Sequence, residues 1–413
     1  MPFYHSLGQL PRKRHIVFRQ GSGALYAEEL IGNKGFVGPS SLLYHIQQPT
    51  QIRAARTLRV IDWHEEPERE FRHRHFRTAR LGQTSSLTVD RIPLLFNNDV
   101  ALSFVAPTSD DDYFYRNAQG DEVVYVSEGS GTLHTQLGRL AYGPGDYLVI
   151  PRGILHRYET ATPMKCFIVE SRGYVRTPKR YRNEHGQLME SAPYSERDIR
   201  RPEALEAVDE RGEFRIVVKK DNRLTEFILD HHPWDVVGWD GYYFPWAFNI
   251  GSFEPRVGRV HLPPPVHQTF EGDNFVICSF CPRPYDFDPE AVPVPYNHSN
   301  LDSDEVLYYV EGNYKARKGI EVGSLTLHPQ GIPHGPHPGT VEASLGAKET
   351  NELAVMCDTF RPLFPTEAAL EMDDPAYPDS WRGEHFPKTA GMHRPDGQAK
   401  SPVKSGEAVD TWT

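Results

Sequence analysis

The chain has 413 residues, room for one large core or two smaller ones, and a formal net charge of −11 with acidic and basic side chains interspersed. That pattern argues against nucleic acid or an anionic membrane surface as a partner, since both need a concentrated positive face. No apolar run approaches the roughly 20 residues of a membrane span. The opening "MPFYHSLGQLPRKRH" is basic but lacks a signal peptide's apolar stretch, so a soluble cytoplasmic protein is expected.

Proline (35) and glycine (33) are abundant and helical periodicity is scarce, so short β-rich runs broken by turns predict an all-β protein with a few short helices. In chain order, residues 1–105 are expected to form a β-rich N-terminal extension. Residues 106–230 hold a first core followed by a charged connector from about residue 176, partly helical at most. Residues 231–360 hold a second core. Residues 361–413 form a C-terminal segment, and "RPDGQAKSPVKSGEAVDTWT" at its end is too polar to fold on itself and is expected to be disordered.

The two cores carry a repeat. "YRNAQGDEVVYVSEG" begins at Tyr115 and "HSNLDSDEVLYYVEG" at His298, and Tyr115, Asn117, Glu122 and Gly129 occupy the offsets of His298, Asn300, Glu305 and Gly312. Further on, "GDYLVIPRGILH" (145–156) matches "GSLTLHPQGIPH" (323–334), glycine, proline, glycine and histidine falling at the same spacing in both. "EVVYV" and "EVLYYV" are β-formers, and the glycine after each permits a tight turn. These spacings resemble the two motifs of the cupin barrel, so the resemblance implies a bicupin, two jelly-roll cores each with room inside for a ligand or metal.

The second repeat offers His298, Glu305 and His334, with Asn300 in place of a further histidine. Two imidazoles and one carboxylate on one face of an octahedral ion make the facial triad of non-haem Fe(II) oxygenases, with positions left open. Asp304 adjoins Glu305, but neighbouring strand residues face opposite sides, and Glu305 keeps the spacing to Gly312 that Glu122 keeps to Gly129. Glu305 is therefore the expected ligand. The first repeat has Tyr115 in the leading histidine position and His134 off the pattern, which predicts a metal-free, structural barrel. The cysteines Cys166, Cys278, Cys281 and Cys357 include one CxxC pair and no second. A closed zinc site is not expected, and buried reduced thiols are.

The likeness extends beyond the barrel motifs. "HPWDVVGWDGYYFPWAFNI" (232–250), "VPYNHSN", "GNYKAR", "SLTLHPQGIPHGP" and the N-terminal "GFVGPSSLLYH" resemble segments of the homogentisate 1,2-dioxygenase family, with similarity over residues 1–390 or so. One residue more than usual separates His298 from Glu305. The resemblance implies an Fe(II) enzyme that opens the ring of homogentisate with O2, giving maleylacetoacetate in tyrosine and phenylalanine catabolism. It implies iron ligands His298, Glu305 and His334, and His328 lining the site. It implies His261 as the histidine facing the substrate phenol, with His267 as the alternative. Tyr314 would hold the substrate carboxylate and Tyr296 would shape the pocket. Trimers or hexamers are expected from the same resemblance. A bicupin dioxygenase for gentisate or a substituted hydroquinone is the alternative enzyme. A non-catalytic ligand-binding bicupin is the alternative outside enzymes, against which the retained triad argues, as Asn300 argues against a cupin isomerase.

Overall fold

The computed structural model describes residues 3–66, 70–312 and 319–382. Strands dominate, and no helical element among the described residues exceeds five residues. The fold is all-β, built on two barrel cores. The apolar runs of the repeat form the strands Asp121–Thr135 and Asp304–Glu311, and the first six residues of each are buried. One face of such a strand looks into its barrel and the other is covered, so its sequence is nearly continuously apolar rather than alternating.

The repeat holds residue by residue. Glu122 lies opposite Ile150 as Glu305 lies opposite His328. Tyr115 pairs with His156 across an antiparallel contact, as His298 pairs with His334. Gly129 and Gly312 have φ of 93° and 104°, and a Cβ at either would sit 2.5 Å from a carbonyl oxygen, of Pro163 or Asn351. Only glycine fits there.

The sheets cross the divisions expected at residues 105 and 230. Ile92–Phe96 and Val100–Val105 join the sheet of the first barrel, as does Trp246–Asn249, which pairs with Asp146–Ile150. Arg74–Phe76, from the N-terminal segment, pairs with Leu325–His328 in the six-stranded sheet of the second barrel. Val236–Gly241 lies between His5–Gly8 and Ser40–His45 in a separate four-stranded sheet. Composition reports local propensity, whereas these pairings are set by partners far along the chain.

The connector holds single helical turns at Lys179–Tyr181 and Glu196–Asp198, and from Arg211 onward it is strand. Arg211–Lys220 and Arg223–His231 form a hairpin beside Phe114–Asn117, with Ala54–Val60 on its outer edge. Its charges are met across strands, Arg215 Nε lying 2.8 Å from Glu226 Oε1, which lets a charged segment be strand. The segment beyond residue 390, expected to be disordered, lies outside the described residues.

The two barrels share one core. Phe167 of the first stacks on Tyr308 of the second with ring centroids 5.1 Å apart, and the Tyr308 hydroxyl reaches Ser127 Oγ at 3.1 Å. Tyr147 bonds Ser279 at 2.8 Å across the same junction. Aromatic pairs of this kind add about 0.5–1.5 kcal/mol each beyond area burial. They fix the strand that carries Glu305 from the side facing the first barrel. All four cysteines are buried and unbridged.

Candidate metal centre

Three side chains converge in the second barrel. Glu305 is the second residue of the strand Asp304–Glu311, and His298 and His334 come from the loops that the paired motif brings together. Their backbones lock reciprocally, His298 N to His334 O at 2.8 Å and His334 N to His298 O at 2.9 Å. One potential ligand atom from each of the three lies within 4.8 Å of the others. Glu305 Oε2 stands 3.5 Å from Nε2 of both histidines.

Asp304 is turned to the other side, where its two oxygens accept from the backbone N–H groups of Gln330 (2.8 Å) and Leu363 (2.7 Å). Pleating therefore separates the adjacent carboxylates, one clamping loops and one facing His298 and His334. Burial would raise the Glu305 pKa, but contacts with His298, His328 and His334 outweigh it and hold the carboxyl well below the usual range. His334 Nε2 is fully buried and makes no hydrogen bond. A buried ring nitrogen facing a carboxylate at 3.5 Å lacks a partner that a cation would supply, and this donor set suits a divalent transition metal.

His328 sits behind Glu305 rather than in the cavity. It is fully buried, with Nδ1 2.7 Å from Glu305 Oε1 and Nε2 2.9 Å from the Tyr377 hydroxyl. A carboxylate only accepts, so Nδ1–H donates to Glu305 and Nε2 is left to meet Tyr377. The side chain lines the site from the protein side, and both ring nitrogens are committed.

In front of the trio lies a cavity of about 540 Å³, which His298, Asn300 and Glu305 line. Its walls include Leu262, Val266, Phe280 and Val292. His261 and Tyr296 stand at the rim, with His261 Nε2 3.4 Å from the Tyr296 hydroxyl and Nδ1 3.4 Å from Asp286 Oδ2. His267 also lines the cavity but is buried, packed on Phe280 with ring centroids 4.6 Å apart. Burial and the nearby Arg283 push its pKa down to about 3, so it is neutral. Tyr314 lies outside the described residues.

Model families for homogentisate 1,2-dioxygenase match the chain in two parts, the N-terminal one over residues 96–250 and the C-terminal one over residues 253–386. The chain belongs to the homogentisate 1,2-dioxygenase family. It is 41% identical to "Putative dioxygenase SSO1533" of Saccharolobus solfataricus, over 92% of this chain and 99% of that protein. It is 28% identical to a homogentisate 1,2-dioxygenase of Rhodopseudomonas palustris, over 91% of this chain and 90% of the relative. A solved cupin 2 conserved barrel domain protein from Leptotrichia buccalis covers 70% of this chain and 96% of its own at 13% identity, with a TM-score of 0.32, too loose a superposition to bear on function.

Several neighbours of the site escape motif reading because they arrive from distant segments. Tyr377 comes from the C-terminal segment. His73 comes from the N-terminal segment, with its ring 5.8 Å from that of His334 and its Nε2 3.0 Å from Pro333 O. Asp358 lies cross-strand from Glu305 and lines the cavity, and burial together with the Glu305 charge raises its pKa well above the ordinary value. Arg283 lines the same cavity and donates to Cys281 O at 3.1 Å, with no ion pair among the described residues. Only its position in the fold distinguishes it from the chain's other arginines.

The matching place in the first barrel is filled differently. Arg91 Nη1 and Nη2 lie 2.9 and 2.8 Å from the two oxygens of Glu122, and the guanidinium stands over the Tyr115 ring at 5.9 Å. His134 is turned away to Glu159 at 2.6 Å. A guanidinium meets the carboxylate that corresponds to Glu305.

Proposed function

We propose that the chain is an Fe(II)-dependent dioxygenase that opens the ring of homogentisate, or of a closely similar dihydroxyphenyl acid, with O2. The observation that carries this reading is the convergence of His298, Glu305 and His334 at a cavity large enough for a substituted ring. His298, Glu305 and His334 would hold the ion. When bound, ferrous iron supplies the electron relay that lets triplet dioxygen react with a closed-shell ring.

The chain's own groups bind and orient the substrate. Apolar walls at Leu262, Phe280 and Val292 pack on the ring. Asp286 Oδ2, 3.4 Å from His261 Nδ1, favours the proton on that nitrogen, so Nε2, which the Tyr296 hydroxyl approaches at 3.4 Å, is the atom that would take a phenol proton. His267, buried and neutral, does not serve as that base. Arg283 supplies a cation for the acid side chain, and burial, which lowers its own pKa, strengthens its need for an anion. His328 and Tyr377 hold Glu305 in its working rotamer.

Anaerobic reconstitution with iron, followed by oxygen-electrode assays on homogentisate, gentisate and hydroquinone, tests the reading. Uptake of one O2 per ring, fastest with homogentisate, is expected. Iron-loaded protein that consumes no oxygen with any of the three would end the dioxygenase reading, and a preference for gentisate would reassign the substrate.

A further inference from the structure

A second cavity, of about 100 Å³, shares no lining residue with the one at the metal centre. It lies between the hairpin 211–231 and the N-terminal sheet. Its floor is a small apolar cluster that includes Leu155, Ile216, Val218 and Leu229. Its other wall is polar: Glu29, His45, Arg116, Gln136, His231 and Asp235. Buried polar groups are normally paired, so each needs a partner accounted for.

Half of the wall is satisfied. His45 lies between two carboxylates, with Nδ1 2.8 Å from Asp235 Oδ1 and Nε2 3.1 Å from Glu29 Oε2. The second Asp235 oxygen accepts from Gln47 N at 2.7 Å. The other half is not. Arg116 is partly buried and makes no hydrogen bond or ion pair among the described residues; its Nε is buried, and Glu29 in the same wall offsets its charge only at a distance. Gln136 accepts from Leu155 N at 3.2 Å through its oxygen, which leaves its buried amide nitrogen without a partner. His231 Nδ1 is buried and unpaired. Gln136 and His231 are 2% and 3% exposed, so solvent does not readily stand in.

The unpaired groups share a sign. A guanidinium and an amide NH2 only donate, and a neutral imidazole can donate. Burial lowers the pKa of His231, keeping its ring neutral, and lowers that of Arg116, the mark of a cation without full compensation. With His45 charged, Glu29, Asp235, His45 and Arg116 sum to zero. The charge is balanced across the wall, yet the Arg116 fork is unfilled. The missing partner is a planar, two-oxygen acceptor, which matches guanidinium geometry in two parallel bonds. The volume equals about three waters, enough for a carboxylate and one or two carbons against Leu155 and Ile216.

We propose that this cavity binds a small aliphatic monocarboxylate, of acetate to propionate size, on Arg116, with Gln136 and His231 completing its hydrogen bonds. The site is independent of the iron chemistry, and its test does not read oxygen uptake.

The experiment titrates the full chain with sodium propionate, and with sodium chloride at matched ionic strength, following the thermal midpoint and the calorimetric heat. Propionate should raise the midpoint saturably and chloride should not. Arg116→Lys, which keeps the charge and loses the fork, should weaken propionate at least ten-fold. Arg116→Met should abolish the response and, without propionate, be at least as stable as the parent, because it removes a partly buried cation that makes no hydrogen bond. The proposal fails if propionate and chloride act alike, if Arg116→Met still responds, or if ligand-free Arg116→Met is clearly less stable than the parent.

Discussion

The 2.7 Å contact between His328 Nδ1 and Glu305 Oε1 joins residues on adjacent antiparallel strands, directly opposite in register. It fixes the carboxylate from behind while its other oxygen faces His298 and His334. In the first barrel the residue at the His328 position is Ile150, which cannot play that part, and Glu122 is held by Arg91 instead.

If His328 orients the carboxylate, His328→Leu should lower iron affinity by about 10–100-fold, measured by competition with a chelator. His328→Gln should recover part of it. His334→Ala, which removes a donor outright, should lose most bound iron and nearly all oxygen uptake. Iron affinity unchanged in His328→Leu would deny it any hold on Glu305.

His261 and His267 should separate cleanly. Loss of a general base costs about 10²–10⁴ in rate, so His261→Ala should lower kcat by that order with iron content preserved. His267→Ala should act on stability, because the ring is buried against Phe280. The check is kcat and urea midpoint on both variants, and a larger kcat loss in His267→Ala would reverse the assignment.

Arg283→Met should raise KM for homogentisate by about 10–100-fold, the worth of a charged hydrogen bond. It should leave KM for hydroquinone, which has no carboxylate, near the parent value. Equal effects on both substrates would place the guanidinium away from the acid side chain.

Arg91 and Glu122 form a buried pair, and Arg91 holds the Glu122 carboxyl down at about 2 although burial opposes this. Breaking such a pair from one side costs about 3–5 kcal/mol, whereas replacing both partners by apolar residues is often near neutral. Arg91→Met should therefore destabilise strongly in denaturant titration, and Arg91→Met with Glu122→Leu should regain most of the loss. Additive losses would argue that neither side chain depends on the other.

His45 gives the pH dependence. Burial alone would lower its pKa, but Asp235 and Glu29 overcome this and raise it from 6.5 to about 9. Its contribution is thus fully present below about pH 6.5 and is lost as pH rises through 9, at most about 3 kcal/mol. The stability gap between the parent and His45→Gln should be widest near pH 6 and narrow by pH 10, read from urea midpoints. A gap that widens with pH would contradict the charged state.

Local pattern was enough for much of the molecule. The recurrence of glycine, proline and histidine at fixed offsets marked both barrels, because turn glycines such as Gly312 tolerate no Cβ and strand residues alternate faces whatever surrounds them. The same alternation chose Glu305 over Asp304, since pleating is a property of the backbone. Other features had no local mark. The placing of His328 behind the carboxylate depends on Tyr377, 49 residues further along. The strand Arg74–Phe76, the hairpin 211–231, the choice between His261 and His267, the Arg283 wall and the unpaired fork of Arg116 likewise depend on which distant segments share a sheet or a cavity. Burial and long-range pairing set those relations, and they belong to the assembled chain and not to any short stretch of it.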